Sequence, residues 1–516
     1  MIIVHISGIK TKKKKPREIA NVGGGEGHSY ILFMNEKGEE IDTVWTPGHY
    51  HLVHYTQKNP KWLIAHTRAT LTYSHVLINI EKLKALAEPS MAIHPLTKDM
   101  AITKPPKLPK KYEPLKRFGT IFTMRLEEAK KIIGKHGKLL GYAEKAMITP
   151  DQKRLCINVR GETKIYSLKN LELEEIIPQG KILWALRKAN PPRKMMRMLA
   201  ESNFVGMLDP KKHEKVWFIA KYAIGFPEVP VAVFIYDRDE DEVVVGPKNP
   251  LEIIWSEGID EEYRAAKCFD KERLYDTEYL GKLTEPTVDG HIQGTYPGSA
   301  IYTIGIDFSN ITKVWKNGKF DRELAKKLGL PRTHRWSIIL KLNEKLEAEK
   351  YLCKIMCEDN EYICWINDEI SKIQCWDNYI TLHALLKPLN NPELEVLAGV
   401  VKISMDFEAR EMIEQGEFQE WFLEAYGIAK MFGIEDLAEA KRELWWTLPT
   451  TSASAPSLDG NRLLVPIKIS DEDYVWKRGR AEFFLFATDW KMRKIREVGV
   501  WELDPDTPVV WWTAWI

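Results

Sequence analysis

The sequence predicts a multidomain α+β protein, β-hairpin-rich with interspersed helices and a β-rich C-terminal segment. Three observations lead there. The 516 residues exceed the size at which one hydrophobic core keeps growing. Apolar residues at 44% and charged residues at 29% describe a folded globular chain, which excludes wholesale disorder. Short runs of alternating apolar and polar residues are interrupted by stretches with helical spacing.

The first elements follow a lysine run, Lys12 to Lys15, and the glycine-rich NVGGGEG. SYILFMNEKGEEIDTVW reads as two strands joined by a turn at Asn35 to Gly38, and PGHYHLVHY reads as a further strand. The proline-rich KPPKLPKKYEP, Lys104 to Pro114, suits neither a helix nor a central strand, so residues 1–103 are expected to form a basic β-rich domain. An α+β domain spans 104–290. In it Leu126, Ala129, Ile132, Ile133, Leu139 and Leu140 recur at helical spacing, and Met147 to Leu168 alternates like a hairpin. Lys194 to Ser202 reads as a helix whose methionines pack into a core. Val229 to Val245 reads as a hairpin whose acidic tip, Asp237 to Glu242, keeps it soluble.

Residues 291–446 form a third, α+β domain with an acidic helical segment. Positions 404–444 carry 11 Asp/Glu against 4 Lys/Arg. Thr447 to Gly460 (TLPTTSASAPSLDG) has linker composition, and 461–516 is β-rich and Trp-rich. Its end, VVWWTAWI, is too apolar to remain in water and is expected to pack as a strand or to dock on other protein subunits.

No apolar run approaches the roughly 20 residues that span a bilayer, so no membrane association is expected. The start, MIIVHISGIKTKKKK, lacks the charge-then-apolar order of a secretory signal, and six cysteines are too few for a disulfide scaffold. A cytoplasmic location follows. Net charge is only +2, yet residues 1–120 hold 19 Lys/Arg against 10 Asp/Glu, an imbalance that favours an anionic partner, nucleic acid first.

Three constellations could carry chemistry. Five of the 13 histidines fall between His49 and His75. On a strand His49 and His51 share a face while His54 lies on the other, and two adjacent imidazoles can hold one cation with a third ligand from His28, Asp42, His66 or His75. His49-Tyr50-His51 resembles the His-hydrophobic-His motif of HUH single-strand endonucleases. The resemblance implies a divalent metal on the histidine pair and a tyrosine nucleophile on a separate helix, for which Tyr112 and Tyr263 are the candidates. Cys353, Cys357, Cys364 and Cys375 lie within 23 residues and form either a zinc or iron–sulfur site or a set of small buried core residues. AIYTIGIDFSN, carrying Asp307, resembles the first strand of RNase H-like folds, which implies magnesium on Asp307 with a partner carboxylate among Glu358, Asp359, Asp368 and Asp406.

These observations point to a nucleic-acid-binding protein, for DNA or RNA, acting as a subunit of a larger intracellular complex. Phosphate contacts are expected from Lys12, Lys13, Lys14, Lys15, Arg17, Lys110, Lys111, Lys116 and Arg117. One alternative is a metal-dependent nuclease or strand transferase that uses His49 and His51, or Asp307, with zinc or magnesium as the divalent metal ion. The other is a non-catalytic structural or scaffold protein.

Overall fold

The computed structural model describes residues 1–7, 29–46, 50–55, 61–69, 72–79, 137–141, 145–159, 161–170, 172–222, 229–250, 252–253, 287–307, 315–316, 319–320, 335–357, 362–366, 373–388, 397–408, 410–426, 446–447, 454–469, 481–503 and 511–515. Among these residues 33 strands stand against three helices. The α+β expectation is therefore overturned, and the protein is mostly β. Two units divide the chain, residues 1–152 with 411–516, and residues 153–410.

The first unit opens with β1 (Ile2–Ser7), β2 (Ser29–Met34) and β3 (Glu40–Thr46), paired antiparallel in succession. The expected turn at Asn35 is present. Asn35 Oδ1 accepts the N–H groups of Lys37 (2.9 Å) and Glu39 (3.0 Å), the side-chain turn for which asparagine is suited. A second sheet follows in strict chain order, β4 (Tyr50–Tyr55), β5 (Trp62–Ala69), β6 (Thr72–Asn79) and β7 (Gly137–Gly141). β7 corrects the sequence reading, in which Leu139 and Leu140 belonged to a helix. Leu139 instead pairs with Val76, and strand pairing overrides the local spacing. β8 (Lys145–Ile148) comes next.

The second unit begins with the meander β9 (Arg154–Val159), β10 (Glu162–Ser167) and β11 (Leu173–Pro178), then α1 (Gln179–Lys188) and α2 (Arg193–Ala200). A four-stranded antiparallel sheet follows, β12 (Ser202–Leu208), β13 (Lys215–Tyr222), β14 (Val229–Asp237) and β15 (Glu242–Lys248). Its centre is dry and aromatic: Trp217, Phe218, Phe234 and Tyr236 are fully buried, and the Phe218 and Phe234 rings stack 5.2 Å apart. The acidic tip at Asp237 to Glu242 is a turn, in which Asp237 Oδ1 accepts the N–H of Asp239 and Glu240.

The next sheet uses β16 (Thr287–Tyr296) and β17 (Ser299–Asp307). After the two-residue strands β18 (Trp315–Lys316) and β19 (Lys319–Phe320), it continues with β20 (Arg335–Asn343) and β21 (Ala348–Leu352). Asp209 braces the turns beside it. Fully buried, its carboxylate accepts the N–H of Lys211, Lys212 and Gly298 and the indole N–H of Trp217. A further sheet contains β22 (Lys354–Cys357), β23 (Tyr362–Ile366), β25 (Tyr379–Pro388) and β26 (Leu397–Ser404), with β24 (Ile373–Cys375) beside β25. β27 (Arg410–Glu414) leads back to the first unit, which resumes with α3 (Gln415–Tyr426).

There β28 (Trp446–Thr447), β29 (Ala455–Pro456), β30 (Arg462–Ile469), β31 (Ala481–Asp489) and β32 (Arg496–Leu503) make one sheet. Part of the expected linker is thus structural, because Ala455 and Ser457 are buried and Ser457 accepts and donates hydrogen bonds with Arg462. β31 reads AEFFLFATD, apolar on both faces, so both faces need cover. Phe483, Leu485 and Ala487 join a core with Ile2, Val4, Leu32, Met34 and Trp515. Phe484 and Phe486 meet Phe418, Trp421 and Phe422 of α3.

β33 (Trp511–Trp515) ends the chain of elements by pairing antiparallel with β1, Ile2 opposite Trp515. Trp515 is buried, with the Arg462 guanidinium 4.5 Å from its ring centroid. Of the two expected outcomes for this tail, packing as a strand is the one observed, and Thr513, Ala514 and Trp515 are covered within the unit. Four-stranded antiparallel sheets, most of them built from consecutive strands, recur among the described residues.

Candidate nucleic-acid interface

Between β11 and β12 the sequence runs QGKILWALRKANPPRKMMRMLA, with six basic and no acidic side chains over 179–200. α1 buries Ile182, Ala185 and Leu186 and packs against β11 and β15. Its opposite side leaves Trp184 59% exposed, an unusual position for the largest apolar side chain. The helix stops at Ala189, whose N–H bonds Ala185 O. Asn190 then adopts φ 52°, a left-handed conformation that asparagine tolerates.

Pro191 and Pro192 forbid continuation of α1 and start α2. α2 buries Leu199 and packs on β12, β13 and β14, while Arg193, Lys194 and Arg197 are exposed, as are Arg187 and Lys188 of α1. None of these five cations forms an ion pair among the described residues. The nearby carboxylates are engaged elsewhere: Glu174 by Arg154 (2.8 Å), Glu175 by Arg238 (2.7 Å), Asp241 by Lys181 (3.5 Å), and Glu201 by the Tyr222 hydroxyl (2.8 Å).

Helix electrostatics sharpen this. Arg187 and Lys188 sit in the last turn of α1, where the dipole favours them, but Arg193 and Lys194 occupy the first turn of α2, where it does not. No acidic residue and no side-chain cap offsets them there. Arg193 and Lys194 at this uncapped N-terminus repel each other and the dipole, and a phosphate would relieve both, while Arg197 lies in the last turn of α2. An exposed indole beside them adds a surface on which a base can stack.

The sequence-based candidates fall as follows. Lys12, Lys13, Lys14, Lys15, Arg17, Lys110, Lys111, Lys116, Arg117, His49, Tyr112 and Tyr263 lie outside the described residues. His51 is on β4, opposite His66 of β5. Asp307 ends β17 between Thr287 and Arg335, both on antiparallel neighbours. Of the carboxylates considered as its partners, Asp406 is a turn former that binds Ser404 and the N–H of Glu408 (3.1 Å), contacts that hold its carboxyl below the usual range.

The four clustered cysteines are not brought together. Cys364 pairs with Pro388 and Cys375 with Ile380, so the two lie eight positions apart along β25, on the order of 27 Å at strand rise. Cys353 is buried, and among the described residues no group of three His, Cys, Asp or Glu side chains is placed to hold a metal ion. The α1–α2 face was missed because its methionines were read as core packing. Five cations and no acid in 187–197 were the available signal.

A cleft of about 410 Å³ also exists in the second unit, lined by Lys211, Lys212, Gly298, Asn343, Glu344 and Lys345 among others. Within it Lys212 Nζ lies 2.6 Å from Glu344 Oε1, and Glu349 pairs with Lys341 at 3.3 Å. No helix among the described residues is long and apolar enough to cross a membrane.

No protein-family model and no curated protein matches the chain. Among solved structures, apo AztD from Citrobacter koseri is 7% identical at TM-score 0.33, covering 99% of this chain and 99% of that one. The WD40 domain of SCAP from fission yeast is 7% identical at TM-score 0.30, covering 88% of each. The tricorn protease is 7% identical at TM-score 0.33 over 97% of this chain, which spans only 36% of the protease. Scores this low carry no function across to this chain.

Proposed function

We propose that the protein is a non-catalytic β-sheet scaffold that binds nucleic acid, with the α1–α2 face as a contact surface and a larger assembly as its setting. The observation that supports this most is the set of five exposed cations, Arg187, Lys188, Arg193, Lys194 and Arg197, without ion-pair partners among the described residues and next to the exposed Trp184. Such a face binds backbone phosphate by charge and bases by stacking, with little sequence preference. The net positive charge of residues 1–120 extends the same preference to a second region. The buried thiol of Cys156 and a total of only six cysteines suit a reducing, cytoplasmic compartment.

The test is a fluorescence-anisotropy titration of the full chain with a 20-nucleotide single strand and a duplex at two salt concentrations. Replacing the five cations with glutamine is expected to weaken binding and to reduce the salt slope by about 4, near 0.7–0.9 for each lost contact. A second variant neutralising Lys12 to Lys15, Arg17, Lys110, Lys111, Lys116 and Arg117 measures the other region separately. Unchanged affinity in both variants overturns the reading. So does binding to anionic vesicles with none to oligonucleotides, because a basic face carrying a tryptophan also suits a lipid surface.

A further inference from the structure

Three hairpin turns of the second unit line one cleft of about 410 Å³. Lys211 and Lys212 come from the turn between β12 and β13, Gly298 from that between β16 and β17, and Asn343, Glu344 and Lys345 from that between β20 and β21. Hydrogen bonds fix this frame. Buried Asp209 joins the first two turns by accepting the N–H groups of Lys211 (2.9 Å), Lys212 (2.8 Å) and Gly298 (3.0 Å). Glu344 ties the third turn to the first through Lys212 Nζ (2.6 Å) and Lys215 Nζ (3.7 Å). Asn343 Oδ1 shapes that third turn by accepting the N–H groups of Lys345 (2.9 Å) and Glu347 (3.0 Å). We propose that the cleft binds a small phosphorylated molecule, with its phosphate dianion held by the ammonium groups of Lys211 and Lys345.

Charge selects an anion. The carboxylates at the cleft are already engaged, Glu344 by Lys212 and Lys215, Glu349 by Lys341 at 3.3 Å, and Asp209 by backbone N–H groups. The Lys212 ammonium holds the Glu344 carboxyl below its usual range, so it stays ionised and keeps its lysines. Lys211 and Lys345 are exposed, and their ammonium groups make no hydrogen bond or ion pair among the described residues. Five lysines, Lys211, Lys212, Lys215, Lys341 and Lys345, thus stand against three carboxylates, an excess of two positive charges that one phosphate monoester dianion cancels. Like charges on turns that are tied together repel until an anion enters.

Size selects a small one. The volume falls in the range of clefts that take a single ligand, whereas a nucleotide polymer tracks an extended groove. Gly298, at φ 74°, lines the space without a side chain. The cleft shares no residue with the α1–α2 face and does not rest on it.

The full chain is titrated with inorganic phosphate at about pH 8, where the dianion dominates, and followed by phosphorus NMR. Saturable binding at one site is expected. Lys211→Gln and Lys345→Gln should each lower affinity about tenfold, and the double variant should abolish saturation. Both side chains are exposed, so thermal melts should match the parent. Lys350→Gln is the control, because Lys350 is an exposed lysine paired with Glu408 (3.4 Å) outside the cleft, and it should leave phosphate affinity unchanged. Phosphate binding should also survive replacement of the five α1–α2 cations. The proposal is overturned by absence of saturable binding, by unchanged affinity in the double variant, or by an equal loss in Lys350→Gln or in the α1–α2 variant. In that last variant a 20-nucleotide strand without a terminal phosphate should not displace bound phosphate. Displacement would assign the cleft to nucleic-acid backbone and overturn the small-ligand reading.

Discussion

Asn158 on β9 and Gly206 on β12 clasp each other across neighbouring sheets. Asn158 Nδ2 donates to Gly206 O at 2.7 Å, while its Oδ1 accepts the Gly206 N–H at 2.8 Å and the Thr163 hydroxyl at 2.9 Å. The amide thus serves a peptide unit as another strand would, in a buried place where neither group reaches water. Asn158→Ala should cost about 2–4 kcal/mol by leaving buried donors and acceptors unmade. Asn158→Asp should cost more at neutral pH, since it removes the donor and buries a charge. Urea denaturation of both variants reads the difference.

Gly206 is as constrained as its partner. A Cβ there would lie 2.4 Å from the Phe218 ring, which is itself stacked on Phe234 and cannot move aside. Gly206→Ala should therefore destabilise by about 1–3 kcal/mol through overpacking, with loss of near-ultraviolet circular dichroism from the aromatic core.

Trp184 distinguishes a functional face from an incidental one. Trp184 is 59% exposed, so replacing it with alanine should leave the unfolding stability within about 1 kcal/mol of the parent. Single-strand affinity should fall by about 1–3 kcal/mol, with the salt slope unchanged because no charge is lost. A fall in the slope instead would show that Trp184 acts by holding the cations.

Alkaline pH should unfold the protein. Burial pushes the Cys156 thiol from 9.0 up to about 12, and burial also drives the Tyr236 and Tyr302 phenols upward. Each group holds its proton more tightly in the folded chain than in the unfolded one. Their stabilising contribution is complete below the unfolded values and is lost as pH rises through the folded ones. Denaturation midpoints should be flat with respect to these groups below pH 9 and decline from there toward pH 12. Cys156 should resist alkylation in the native state and react once the chain is unfolded.

Local features of the sequence were readable where short-range chemistry decided them. The Asn35 turn, the β14–β15 hairpin and the α2 helix follow from residues within a few positions of one another. The α+β expectation failed where partners are distant. Gly137–Gly141 carries apolar residues that fit a helix, but β6, some 60 positions earlier, supplies a strand for it to pair with. The histidines were visible as a cluster, yet their spacing along β4 suggested His49 with His51. Register, which no spacing within one strand encodes, aligned His51 with His66 and His75 instead. The α1–α2 cations were legible as a charge run. Their lack of counter-ions was not, because Glu174 and Glu175 are close in sequence and, like the more distant Asp241, are engaged only in the fold.

The pairing of Ile2 with Trp515 sets an order of events during synthesis. β1 leaves the ribosome early, and one edge of it waits unpaired while more than 500 further residues are made. The core that joins Ile2 and Val4 to Leu485 and Trp515 closes only once β33 has been made, at an entropic cost raised by the wide separation of its partners. Until then β1 offers an open strand edge to any extended segment nearby, a hazard to which long-range β proteins are prone. Chain arrest short of Trp511 should leave a species that aggregates or is held by chaperones, whereas release of a chain that includes β33 removes that edge in a single step.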